Sequence, residues 1–146
     1  MNKYLEMKRR HQKEVNNFPM MFAFNNKQFK EGMEKLGLTI DDTDKIYYIG
    51  GGGYIRKKDS KDFGDMLSRH NKEFNEAIEK DITGEGFIYD MFLYELGNHE
   101  YGYTLDATDT LEALGFTFKE VMSKDNLKNG FEKARIDALK EYKEHN

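Results

Sequence analysis

No cysteine occurs anywhere in the chain. That excludes disulfides, zinc–thiolate centres and thiol nucleophiles at once. A single proline, Pro19, argues against a linker-rich protein. No apolar run approaches the ~20 residues that a membrane-spanning helix needs. The opening MNKYLEMKRRHQKEV is basic but has no apolar core behind it, so it is not a signal peptide and a cytoplasmic location is expected. Charge of one sign is also scarce. A net charge of −4 keeps a small protein soluble, argues against a general nucleic-acid binder and is too small for a mimic of DNA.

What remains is a chain of 146 residues with 34% charged and 38% hydrophobic residues. Its 14% aromatics are spaced periodically, enough to offset chain entropy and give one domain with a real core. Residues 3–15 read as a helix with a poor apolar stripe, so the segment 1–17 is expected to be a loosely attached arm on a globular domain of 18–146. MMFAF (20–24) reads as a short strand. Asn25 or Asn26 then caps a helix running to Leu36, which Gly37 terminates. Phe63, Met66, Leu67, His70, Phe74, Ala77 and Ile78 recur on one face of a helix over 61–81. FIYDMFLYEL is apolar nearly all round, which marks a central buried helix at about 85–97. YGYT reads as one more strand, and a last helix carries Leu127, Phe131, Ala134, Ala138 and Tyr142 on one side. Helices and strands do not alternate regularly. The expected fold is therefore α+β: a mostly helical single domain whose small antiparallel sheet, the glycine-tipped hairpin 45–57, packs on the buried helix.

A small device occurs twice. EKLGLTIDD and EALGFTFKE each place a glycine after a helix, followed by a threonine with an acid three residues on. Thr39 with Asp42 and Thr117 with Glu120 are expected to form capping boxes. The acids of TLDATDTLE likewise read as capping residues, since they lack the mid-loop glycine of a calcium loop.

KIYYIGGGGYIRKKD is the most unusual stretch. A phosphate loop needs its backbone N–H groups at the start of a helix, whereas here the glycines lead into an alternating strand. The run reads first as a hairpin turn, with glycine tolerating positive φ. It reads second as a binding lip. In that reading Tyr48, Gly51, Gly52, Gly53, Tyr54, Arg56 and Lys58 face an anionic ligand or a partner, and Tyr101 and Tyr103 join the candidate binding residues. Glu95 shares a helical face with Ile88, Met91 and Phe92, so it needs a partner. His99 and Arg56 are the candidates. Glu95, His99 and Glu100 are the only residues with an acid/base or metal-ligand reading, against the simpler one of a structural network. No metal and no cofactor is expected. His70 reads as a core histidine donating to a carbonyl. The KRRHQK run (8–13) reads as a solvated face, or as the arm docking an acidic partner or a phosphate backbone.

FAFNNKQFKEGMEKLGL, KIYYIGGGGYIRKKD, MFLYELGNHEYGYT and DTLEALGFT together resemble a family of small uncharacterised proteins of Clostridium-group Gram-positive bacteria, their phages and prophages. The similarity covers about residues 20–140 and leaves the N-terminal helix outside. It implies a non-enzymatic accessory protein of the host cytoplasm that binds a host protein, for instance to block a defence factor. Two alternatives stand beside it. One is a nucleotide or small-ligand binder, with Tyr47, Tyr48 and Tyr54 stacking on a base and Arg56 and Lys58 on phosphate. The other is a metal-dependent or acid/base hydrolase built on Glu95, His99 and Glu100.

Overall fold

The computed structural model describes residues 2–146. The chain is mostly helical, with one small antiparallel sheet, as the sequence predicts. Its elements are α1 (Lys3–Asn16), β1 (Met21–Phe22), α2 (Asn26–Lys35), β2 (Ile46–Gly50), β3 (Gly53–Arg56), α3 (Ser60–Lys80), α4 (Phe87–Asn98), α5 (Tyr101–Thr104), α6 (Thr108–Leu114), α7 (Phe118–Ser123) and α8 (Asp125–His145). By contact density the chain divides into two compact units. One joins the segment through His11 to Glu73–Asn146, and the other is Gln12–Lys72.

The first unit is built around α4. Phe87, Ile88, Met91, Phe92, Glu95 and Leu96 are all buried, because apolar side chains occupy every side of this helix. Each large apolar side chain sealed this way contributes about 2 kcal/mol. Phe92 meets Phe131 of α8 edge-on at 5.2 Å, and Tyr4 of α1 meets Phe87 at 5.8 Å. Tyr4 is thus a core residue, and the start of the first helix packs on α4. Its half-stripe of Tyr4 and Met7 suffices because it covers an already apolar surface. Gly130 of α8 lies so close to the α3–α4 loop that a Cβ there would fall 2.5 Å from the Gly84 carbonyl oxygen. Asp81 organises that loop by accepting from the amides of Gly84, Gly86 and Ile88.

YGYT is a single helical turn and not a strand. Gly102 seats against the Tyr142 side chain, 2.4 Å from where a Cβ would lie, so the segment is packed on α8 with no strand beside it. The twin devices also diverge. Thr117 and Glu120 form the capping box of α7, whereas after Thr39 only a 3₁₀ turn at Thr43–Lys45 follows. Asp106 accepts from the Thr108 amide (2.9 Å) and hydroxyl (2.6 Å) just ahead of α6, but the N-cap position is Ala107 and carries no side-chain cap bond, so the cap expected of that stretch is not formed.

In the second unit the sheet runs β1-β3-β2, all antiparallel. Its inward residues Met21, Ile46 and Tyr54 pack with Met33, Leu36 and Phe29 of the α2 region. The hairpin therefore has its own apolar partner in α2, where the sequence suggested the buried α4. Asn25 caps α2 by accepting from the Gln28 amide. On α3, Met66 and His70 are buried, while Leu67 points outward.

Candidate functional site

The hairpin resolves its own glycine run. Gly50, Gly51 and Gly52 all have positive φ (91°, 58° and 81°), where an L side chain is strained. Register slips between Tyr48 and Gly50, and pairing resumes at Gly50–Gly53. A Cβ on Gly52 would fall 2.5 Å from the Phe24 ring, and one on Gly53 would fall 3.0 Å from that of Phe22. The close approach that glycine allows is taken up by two of the chain's own rings. The tip is tied down as well: the Gly52 amide donates to Tyr48 Oη (3.2 Å), and its carbonyl accepts from Ala23 N–H (2.9 Å).

Around this tip the sheet carries uncovered aromatics. Phe22, Phe24, Tyr47 and Tyr48 are 56%, 76%, 48% and 62% exposed. Tyr48 leans on Tyr54 at 5.2 Å, and Tyr54 on Phe29 at 5.6 Å, so Tyr48 is braced from beneath, while Phe22 and Tyr47 alternate to the other face of the sheet. Phe22 and Phe24 escape sequence reasoning. MMFAF reads as a simple apolar strand, but only two of its residues pair, leaving both rings outside. β2 is an edge strand, and β3 is its only ladder partner among the described residues.

A groove of about 480 Å³ lies at the base of the hairpin, with Leu36, Leu38, Lys45, Arg56, Lys57 and Lys58 among its walls. Arg56 is committed to the fold: its Nε donates to Asp59 (2.7 Å) and its Nη1 to the Leu36 carbonyl (3.2 Å). Lys45 pairs with Asp42 at 3.2 Å, and that carboxyl is held below its usual range by the Thr39 amide and then by Lys45. The Lys57 ammonium sits 5.1 Å above the Tyr47 ring. No ion pair of Lys58 is formed among the described residues, and Asp44 is the one acid in the groove wall beside Lys45, Arg56, Lys57 and Lys58, so basic side chains predominate there.

Glu95, His99 and Glu100 do not converge. Glu95 is buried, and its Oε1 accepts from Lys8 Nζ at 2.9 Å. His99 stands 3.9 Å from the other oxygen. Glu100 is exposed, with left-handed backbone (φ 57°). The Lys8 ammonium also faces the rings of Tyr94 (5.1 Å) and Tyr4 (5.9 Å). Burial, and secondarily the Glu95 carboxylate, pushes the Tyr4 phenol well above its ordinary range. Among the described residues no three His, Asp or Glu side chains gather where a metal could sit. Tyr101 is buried, whereas Tyr103 is exposed, so the two separate.

Part of the basic run near the N-terminus is paired internally, while Arg9 and Lys13 stay exposed. Beyond Lys8, Arg10 and His11 both engage Glu73, and the Glu73 carboxyl is held down at about 2, chiefly by Arg10. His70 faces Glu14 at 3.5 Å, a carboxylate in place of the expected carbonyl. Arg69 grips the same carboxylate and holds it at about 2.

No helix among the described residues is long and apolar enough to cross a membrane. No curated protein and no solved structure matches the chain. A family model does match, over residues 3–137, and so takes in the first helix that the resemblance left outside. By that match the chain belongs to DUF7659, a family of unknown function.

Proposed function

We propose that this chain is a non-catalytic binding protein that docks an acidic, apolar segment of another protein on its aromatic hairpin. The observation that carries the reading is the exposure of Phe22, Phe24, Tyr47 and Tyr48 around a braced glycine tip. Uncovered aromatics grouped on one sheet favour association, and aromatic side chains dominate the energetic centres of interfaces. The free edge of β2 offers backbone donors and acceptors to an added strand. Lys57 and Lys58 beside it favour a partner segment with carboxylates. The likeness to phage-borne proteins makes a bacterial host factor, such as a defence protein, the partner to test first.

A second reading has its own observation. Lys45, Arg56, Lys57 and Lys58 share one groove, which suits a phosphorylated small ligand.

Affinity capture with the full chain, run beside Phe24→Ser/Tyr48→Ser and Lys57→Glu/Lys58→Glu variants, tests the first reading. The partner is then reconstituted pure and titrated. Both variants should stay folded and lose the purified partner, the aromatic one with a somewhat lower melting point because it gives up the Tyr48–Gly52 hydrogen bond. Equal affinity of all three proteins for that partner overturns it. A melting point raised by nucleotides and abolished in the lysine variant moves the function to the second reading.

A further inference from the structure

A second groove, of about 490 Å³, lies in the helical unit between α5–α6, α7 and α8. Leu105, Leu111, Phe118, Met122 and Phe131 form its apolar walls, and Arg135 reaches into it from α8. Two of these side chains are left uncovered at the rim: Leu105 is 65% and Phe118 61% exposed. Leu105 is held there in left-handed backbone (φ 60°), a conformation that a leucine adopts only when its surroundings impose it.

Arg135 is the unusual member. It is half-buried, and its one hydrogen bond is a long one, 3.5 Å, to the Tyr101 hydroxyl. No carboxylate pairs with it among the described residues. The two acids that line the groove are placed otherwise. Asp106 is taken by the Thr108 amide and hydroxyl, which hold its carboxyl below the usual range, and Glu132 is exposed. A guanidinium drawn partly out of water without a counter-charge is costly, and a carboxylate meeting its planar fork would relieve that cost. The apolar walls ask for a hydrocarbon body behind the anion, and the volume falls within the usual range for a small-molecule site.

We propose that this groove binds an amphipathic monocarboxylate, a medium-chain fatty acid, with its carboxylate on Arg135 and its alkyl chain along Leu105, Phe118 and Met122. The groove shares no lining residue with the hairpin, so either reading can fail alone.

Titration of the full chain, followed by amide NMR and calorimetry, uses decanoate, 1-decanol and acetate as probes. Decanoate should bind saturably, shift groove resonances, exceed decanol in affinity by about tenfold or more, the worth of one charge-assisted hydrogen bond, and exceed acetate, which keeps that bond but lacks the alkyl chain, by at least as much. Arg135→Gln should remove that advantage over decanol. Phe118→Ala, at an exposed position that the fold does not need, should weaken decanoate and decanol alike. If Arg135→Gln loses its fold, the Phe118→Ala and acetate arms decide the matter alone. The proposal is overturned if decanoate leaves the groove resonances unmoved, if decanol binds as tightly as decanoate, or if folded Arg135→Gln keeps full affinity.

Discussion

Lys8 Nζ sits 2.9 Å from Glu95 Oε1, so a side chain of the first helix neutralises a carboxylate that is only 3% exposed. Removing the lysine leaves that buried charge with only His99, 3.9 Å from its other oxygen, which is more damaging than losing a surface pair. Lys8→Met is expected to cost about 3 kcal/mol in urea unfolding. Adding Glu95→Gln to it should recover a large part, since no bare charge then remains. A Lys8→Met variant as stable as wild type would show that the pair contributes nothing.

That pair marks where sequence reading stops. The apolar circumference of 87–96 identifies α4 as a core helix and Glu95 as a residue in need of a partner. The partner lies 87 positions away, and no periodicity connects Lys8 to it. The same blindness makes KRRHQK look like a free basic face, because Glu73 and Glu95 come from other helices. A helix with a clear 3.6-residue stripe such as α3 is legible to within a residue, and the buried face of α8 is legible too. YGYT is not, since its alternation is that of a strand while its conformation is set by Gly102 seating on Tyr142. At the hairpin, the turn and the tyrosines are legible. The rings of Phe22 and Phe24 are not, because whether an apolar residue faces in or out of a two-residue strand depends on tertiary packing.

Two glycines separate backbone strain from crowding. Gly51 has φ 58° and open space around its missing Cβ. Gly51→Ala should therefore cost only the left-handed penalty, about 1 kcal/mol. Gly130 lies inside α8, where alanine would gain about 1 kcal/mol of helix propensity. Its Cβ, however, would meet the Gly84 carbonyl at 2.5 Å and Ile88 Cγ2 at 2.6 Å, and neither can swing aside freely. Crowding wins, and Gly130→Ala should lose about 2 kcal/mol net. Thermal melts of the two variants should rank them in that order. A stabilised Gly130→Ala would mean that the α3–α4 loop yields easily.

The paired threonines make a similar comparison. Thr117 Oγ1 accepts from the Glu120 amide at 3.1 Å, and Glu120 Oε1 returns the favour to the Thr117 amide at 3.1 Å. Thr117→Ala should cost about 1 kcal/mol, the usual worth of an N-cap. The Thr39 hydroxyl only donates, to Asp42, and caps no amide, with a three-residue 3₁₀ turn beyond, so Thr39→Ala should cost less than half as much. Equal losses in denaturant unfolding would contradict the distinction.

The depressed carboxyls of Glu14 and Glu73 set an acid limit on stability. Hydrogen bonds from Arg69 and Arg10 are the largest causes, and both groups are held at about 2. The folded state binds the ionised form better than the unfolded chain does, so these groups stabilise fully at pH values above the ordinary glutamate range near 4.5. Their contribution falls away as pH drops from there towards 2, because the unfolded chain then takes up protons that the folded chain refuses. A melting-temperature profile of wild type should decline through this window. Glu14→Gln/Glu73→Gln should start lower at neutral pH and decline less steeply. Added salt should shrink the difference between the two proteins at neutral pH, since both pairs are open to solvent. If the two acid profiles run parallel, these ion pairs have no part in the pH dependence, and other carboxylates govern it.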